Sequence, residues 1–408
     1  MGKRIFVGCF ILMVVMFASY DLGSINGGST ESKNAVFHSN YKPSGFDTLV
    51  LSYDEHLRHI VDSFQSPGAA VAIVYKGEII LLKGYGIKKA GGADSVDIHT
   101  AFRIGSVSKG FAAILTGILE KEGYVSWDDP VKKYLSSFQM KDTSYASQLT
   151  IRHILNHTSG FPAHTYTDML DNGFAYDDIK ADLATVPLIA KPGQVYGYQN
   201  VVYSLIGDIL LKATGIDYNS LLKQKIFNPL QMHEASTDFA SFNNSPNSAF
   251  PHLSSGKAWK ARAKNDRYYS ASPASGINAS ASDMAHWLLG LTGYYPDVIS
   301  QKTIHDISMT TIQTPRKYAY RVNWSSLEKT YYGLGWRIFQ FNHHEVVYHG
   351  GYVEGFRTEI AFDPAQSIGV VVMFNSNTPA ASRCIPDFFN KYYSLQQPKN
   401  PESIFAAK

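Results

Sequence analysis

Two apolar hairpins near opposite ends of the 408-residue chain constrain its fold more than any other feature. Ala69 to Tyr75 and Ile79 to Leu82, joined through Lys76-Gly77-Glu78, make the first. Arg357 to Phe362 and Ile368 to Phe374, joined through Asp363-Pro364-Ala365-Gln366, make the second. Short apolar runs bounded by turn residues read as strands. Between them, from about Ser106 to about Asp283, the chain is mostly helix and loop. A sheet must bury a face against another layer. Strands at both ends with helices between them predict an α+β fold of the α/β-sandwich kind. One antiparallel sheet would come from the two chain ends, flanked by helices, with a mostly helical insertion. Residues 236–275 are rich in Ser, Asn and Ala and read as a long loop of the kind often used as a lid or binding loop. The helix-like tail is expected to be interrupted at Pro386.

The N-terminus runs Met1-Gly2-Lys3-Arg4 and then almost wholly apolar from Ile5 to Ala18. A short basic start before a medium apolar run fits a secretory signal peptide over residues 1–19, with cleavage near Ser19 or Gly23. The run is short for a membrane span. A polar lead-in over 20–44 follows. The expected location is periplasmic or secreted, with an uncleaved anchor as the alternative, and no stable membrane span after cleavage. Cys9 would leave with the leader, so Cys384 has no internal partner and is expected as a packed core thiol. Charged residues are 17%, below the ~25% of an average chain. The net charge is +3 without a long basic run, which argues against a nucleic-acid partner. His153, His157 and His164 match no defensible zinc spacing, so neither metal nor cofactor is expected.

Three short motifs carry chemistry. Ser106-Val107-Ser108-Lys109 opens an apolar helical run, Phe111 to Leu119. Serine and lysine three apart share a helix face, so the amine can take the hydroxyl proton. A serine at a helix N-terminus also has backbone N–H groups at hand for an oxyanion. The pattern is cheap; copies at Ser39/Lys42, Ser254/Lys257 and Ser326/Lys329 sit in polar, loop-like sequence. Tyr198-Gln199-Asn200 follows a Pro192-Gly193 turn and enters a helix predicted over Val201–Thr214, stopped by Gly215. Of the 26 tyrosines only Tyr198 has an asparagine two residues on. A phenol there can shuttle protons, and an amide can hold a carbonyl or the lysine. The bland reading of the pair is a packed aromatic and a helix cap. His349-Gly350-Gly351 follows a strand-like Glu345 to Tyr348, and only His349 among 14 histidines has glycine two residues on. Glycines there permit close backbone approach.

In this order, Ser-x-x-Lys, Tyr-x-Asn and His-x-Gly resemble the serine β-lactamase and penicillin-binding-protein superfamily. The branch is that of class C β-lactamases, D-Ala-D-Ala carboxypeptidases, D-aminopeptidases and related esterases. The segments Leu149 to Pro162, Ser272 to Ala285, Tyr332-Gly333-Leu334-Gly335-Trp336 and Phe374-Asn375-Ser376 extend the likeness from about Gly68 to about Ser376. The resemblance implies a β-lactamase/transpeptidase-like fold. A serine hydrolase domain would span 45–395, with a sheet subdomain over 45–100 plus 284–395, a helical subdomain over 101–283, and a tail at 396–408. It implies Ser106 as acylated nucleophile, Lys109 as its proton acceptor and Tyr198 as acid/base partner. Asn200, His349 and Gly351 would bind substrate, and the backbone N–H groups of Ser106 and Tyr352 would form the oxyanion hole.

Two departures bear on substrate. His349 stands where class C β-lactamases have lysine, and an ordinary histidine is only partly charged near neutral pH. Gly350 lacks the threonine hydroxyl that helps bind a substrate carboxylate. Such a site should hold a carboxylate weakly unless Arg357 or another cation compensates. The expected function is an exported hydrolase forming an acyl-serine with D-amino-acid peptides or β-lactams. The alternatives are an esterase with the same site, and a non-catalytic binding or scaffold relative.

Overall fold

The computed structural model describes residues 35–36, 45–255, 258–315, 324 and 327–396. The expected leader and nearly all of the polar lead-in and terminal tail therefore lie outside the described residues. Nine strands form one antiparallel sheet. They are β1 (Ala35–Val36), β2 (Gly68–Tyr75), β3 (Glu78–Gly86), β4 (Ile312–Gln313), β5 (Leu327–Tyr332), β6 (Arg337–Phe341), β7 (His344–Val353), β8 (Phe356–Asp363) and β9 (Ile368–Phe374). Their spatial order is β1-β3-β2-β9-β8-β7-β6-β5-β4. The two hairpins read from the sequence meet at the β2–β9 seam, where Val71 faces Val372 and Ala72 faces Val371.

The turns explain why these hairpins close. Lys76-Gly77, Asn342-His343 and Glu354-Gly355 all carry positive φ at both positions, 46° and 86°, 49° and 63°, 46° and 88°. That geometry matches the right-handed twist of the strands on either side. Antiparallel strands often leave one face wet and then alternate in polarity. Here β2 and β9 are buried at every residue, because both faces of the sheet are covered.

Helices α1 (Phe46–Ser63) and α5 (Ala381–Ser394) cover one face, packing Phe46, Tyr53, Phe388 and Tyr392 against Val71, Ile73, Val370 and Val372. On the other face lie α2 (Ser108–Lys121), α3 (Val201–Thr214) and α4 (Ala281–Leu291), whose core reaches Ala70, Ala72, Val371 and Met373. Gly215 ends α3 in the left-handed region at φ 75°. A two-residue strand pair, Phe102–Arg103 with Asn278–Ala279, ties together the two ends of the helical segment. The expected 283/284 division falls inside α4.

Two expectations are corrected. The tail helix is not interrupted: α5 runs through Pro386. A proline inside a helix costs about 3 kcal/mol. Phe388, Phe389, Tyr392 and Tyr393 are each buried within α5, and each such side chain contributes on the order of 1.5–3 kcal/mol, so packing wins. Residues 236–275 are not one loop. They contain a helix over Phe239–Asn244 and a small hairpin, His252–Ser255 with Ala258–Ala261. Cys384 is buried, its Sγ 3.5 Å from the carbonyl of Ala380. No helix among the described residues is long and apolar enough to cross a membrane.

Candidate active site

Ser106 sits in a 3-10 turn, Gly105–Val107, that runs straight into α2. It is partly exposed, so a substrate can reach its hydroxyl. Lys109, one turn further on, is completely buried. Its Nζ lies 3.4 Å from Ser106 Oγ, 2.8 Å from Asn200 Oδ1 and 3.0 Å from the carbonyl oxygen of Ala274. A neutral amine has two N–H bonds and one lone pair. The Asn200 and Ala274 oxygens can only accept, so they take the two N–H bonds and leave the lone pair for the serine proton. Burial, and then the positive Arg337, hold the Lys109 amine well below the usual lysine range. The arrangement is that of a serine with a ready base.

The pattern Ser-x-x-Lys also fits Ser220/Lys223, where the lysine is exposed. The copies at Ser39, Ser254 and Ser326 each include a residue outside the described ones.

Asn200 stands at the position before α3 but does not cap it. Its amide turns instead to Lys109 and, at 3.3 Å, to Thr167 Oγ1. The capping reading of this asparagine is therefore replaced by a lysine-holding one. The Tyr198 ring is buried with Lys109 Nζ 4.7 Å and Arg337 Cζ 5.6 Å from its centroid, so the lysine amine and the guanidinium flank it.

Tyr352 approaches Ser106 from β7. A Cβ on Gly351 would lie 2.0 Å from the oxygen of Ile104 and 3.2 Å from Ser106 N; a Cβ on Gly105 would lie 2.8 Å from Tyr352 N. Only glycine at both places lets strand and turn touch, which brings the Ser106 and Tyr352 amides side by side. Gly351, expected to bind substrate, is buried against Ile104 and the backbone of Ser106.

His349 departs furthest from expectation. The ring is fully buried in the middle of β7. Its Nδ1 lies 2.9 Å from the carbonyl oxygen of Gly350, which can only accept, so Nδ1 carries the proton. Its Nε2, 3.1 Å from Tyr332 Oη, then accepts from the phenol. The same phenol lies 3.2 Å from His157 Nε2, and His157 Nδ1 accepts from the backbone N–H of Gln199 at 3.2 Å. Donors and acceptors match along the chain His157–Tyr332–His349 only if both rings are neutral. Burial, and then the positive Arg337, push His349 well below its ordinary range. Burial likewise pushes His157 well below. The partly charged His349 expected from an ordinary histidine is not found.

The glycine next to it has a different neighbourhood from the one expected. A Cβ on Gly350 would lie 2.8 Å from Tyr348 Oη and 3.0 Å from Glu359 Oε2. Tyr348 belongs to the core beneath α1 and α5, so a side chain at 350 would face away from Ser106. Arg357 does not supply the missing cation, since its guanidinium pairs with buried Glu359 at 2.5 Å. The fixed positive charge is Arg337. It is buried at the start of β6, its guanidinium carbon 5.6 Å from the ring centroids of both Tyr198 and Tyr332. The sequence reading missed it. Its signal was a lone charge in the apolar run Trp336-Arg337-Ile338-Phe339.

His153 and His164 have local structural partners. His153 forms a capping box with Thr150, and His164 packs 5.5 Å from the Tyr198 ring. Among the described residues no three His, Cys, Asp or Glu side chains converge as a metal set.

The sequence profile of the Beta-lactamase family matches residues 53–391. The chain belongs to the β-lactamase family. Its fold is that of this family's serine hydrolases. The chain is 27% identical over 331 residues to Protein flp of Staphylococcus aureus, covering 80% of this chain and 63% of that protein. It is 26% identical over 351 residues to Unguisins hydrolase ungD of Aspergillus violaceofuscus, covering 79% and 61%. It thus spans somewhat less than two thirds of the length of these relatives. The octameric penicillin-binding protein homologue from Pyrococcus abyssi superimposes with a TM-score of 0.73 at 24% identity, over 86% of this chain and 78% of that one. That likeness extends to the fold.

Proposed function

We propose that this β-lactamase-family chain is an exported hydrolase in which Ser106 is acylated and then released by water. One observation carries the reading: a fully buried Lys109 amine whose two N–H bonds are spent on Asn200 and Ala274 while its lone pair faces Ser106. In acylation the Ser106 oxygen attacks a carbonyl carbon as its proton passes to Lys109. The Ser106 and Tyr352 amides receive the oxyanion. Tyr198, beside Lys109, delivers its phenol proton to the leaving group and is reprotonated by the proton Lys109 took from Ser106. Water attacks the acyl-serine by the reverse relay. The substrate class is a D-amino-acid peptide or a β-lactam, with Arg337 as the cation for a carboxylate. A second reading, an esterase, is favoured by the neutral His349. Export rests on the apolar leader of residues 5–18.

The test is intact mass spectrometry after incubation with β-lactams, D-amino amides and short-chain aryl esters. A mass increase that maps to Ser106 supports the proposal, and the compound that gives both adduct and turnover names the class. No adduct and no turnover with any compound would overturn it.

A further inference from the structure

A second site lies in the loop that follows β3. Lys88, Lys89 and Lys264 line a cavity of about 220 Å³ together with Asn243, Ser248 and Phe250. None of these residues belongs to the set around Ser106. The walls are tied down: Phe250 N–H bonds to the carbonyl of Lys88 at 2.9 Å, and Lys88 Nζ reaches the carbonyl of Pro246 at 3.3 Å. Lys264 Nζ donates to Ser248 Oγ at 2.5 Å, and its ammonium stands 4.7 Å from the Phe250 ring centroid. Lys89 stands 4.6 Å from the same centroid.

The charges in this cavity do not balance. Its charged groups are the three lysines and Asp94, whose side chain is 82% exposed and 3.7 Å from Lys88. Among the described residues neither Lys89 nor Lys264 has a carboxylate within ion-pair distance. Three ammonium groups held together around half-buried walls repel one another and lose hydration. Burial, and then the neighbouring Lys88, bring Lys264 down to about 8. A bound anion would remove that repulsion and accept hydrogen bonds from all three. The Asn243 amide and Ser248 hydroxyl add polar groups for oxygen atoms. The volume is below the ~300–1,000 Å³ of pockets for drug-sized ligands, which suits a compact group.

We propose that Lys88, Lys89 and Lys264 form a binding site for a compact multivalent oxyanion of the phosphate or diphosphate type, separate from the Ser106 site. The group could arrive free in solution or displayed on a lipid, and both share this chemistry.

The experiment uses the whole protein. Isothermal titration with pyrophosphate is compared with chloride at matched ionic strength, and sedimentation with phosphatidylglycerol vesicles is compared with phosphatidylcholine vesicles. Saturable binding in either arm is expected, weakened roughly tenfold or more by Lys264→Met and by Lys89→Gln. Lys89 is exposed, so that variant tests the site even if Lys264→Met folds poorly. Binding near pH 8 should also take up protons, because an anion favours the charged form of Lys264. The arm that responds identifies the source of the anion. Ester turnover at Ser106 should not change in either variant. An equal response to pyrophosphate and chloride with no vesicle preference overturns the proposal, as does binding untouched by both substitutions.

Discussion

Tyr332 donates its hydroxyl hydrogen to Nε2 of His349 across 3.1 Å, a bond that suits the neutral imidazole that burial enforces. A neutral ring at the foot of the candidate site changes how acid should act on the protein. His349 and His157 both have folded pKa values well below 6.5. Unfolded histidine titrates near ~6.5. Below that pH the unfolded chain gains protons that the folded chain refuses, so folding loses ~1.4 kcal/mol per pH unit for each ring. Their contribution is whole above about 6.5 and declines as pH falls. Urea midpoints from pH 7 to 5 should therefore drop steeply in the wild type and less steeply in His157→Gln. An unchanged slope counts against the neutral pair.

Ser106→Ala should lose all covalent labelling while keeping its thermal midpoint. Peptide mapping decides the matter. Label on Ser39, Ser220, Ser254 or Ser326 would remove Ser106 from its role.

Lys109→Ala and Tyr198→Phe should each lower kcat by ~10²–10⁴-fold, the usual contribution of a positioned acid or base. The double variant should fall less than the product of the two, since groups acting as one unit are not additive. Near-normal kcat for Tyr198→Phe would make the phenol structural.

Arg337→Met removes the charge that helps to keep the Lys109 amine neutral. The lysine pKa then rises, and the acid limb of kcat/KM moves to higher pH for every substrate. If the guanidinium also holds carboxylates, KM for a cephalosporin should rise roughly tenfold or more while that for a neutral ester stays level. A pH profile identical to wild type would separate Arg337 from the lysine.

Gly351→Ala places a methyl group 2.0 Å from the oxygen of Ile104. Strand and turn must part, which costs about 1–3 kcal/mol of stability and displaces an oxyanion donor. Kinetics should show kcat down by ~10²–10³-fold with KM nearly unchanged. Full activity in this variant would mean that the two amides do not act together. Gly350→Thr, by contrast, should cost stability through Tyr348 and Glu359 and bring no gain in β-lactam turnover.

Much of the fold was legible because its signals are local. The Lys76-Gly77 turn, the apolar runs of β2 and β9, and the Gly215 stop on α3 each declare themselves within a few residues. The Ser106–Lys109 pairing was legible for the same reason, being one helical turn. What escaped depends on residues far apart in the chain. Arg337 acts through Tyr198, about 140 residues away, and Lys109 beyond it. His349 owes its neutrality to burial and to Arg337, and no property of His-Gly-Gly announces either. Gly350 and Gly351 look alike in sequence, yet the period-two alternation of β7 sends one towards Glu359 and the other towards Ser106. Pro386 misled because its local penalty is smaller than the packing of four aromatics downstream.

The β2–β9 seam also dictates the order in which this protein comes into being. Ribosomal synthesis delivers Ser106 and Lys109 long before Tyr352, and β9 emerges later still, yet β9 lies between β2 and β8 in the finished sheet. A nascent chain halted before Ile368 therefore carries Ser106 and Lys109 with no β9 to join the two halves of the sheet. Contacts this distant in sequence are slow to form. The candidate site can be completed only late, after the last strand has closed the gap.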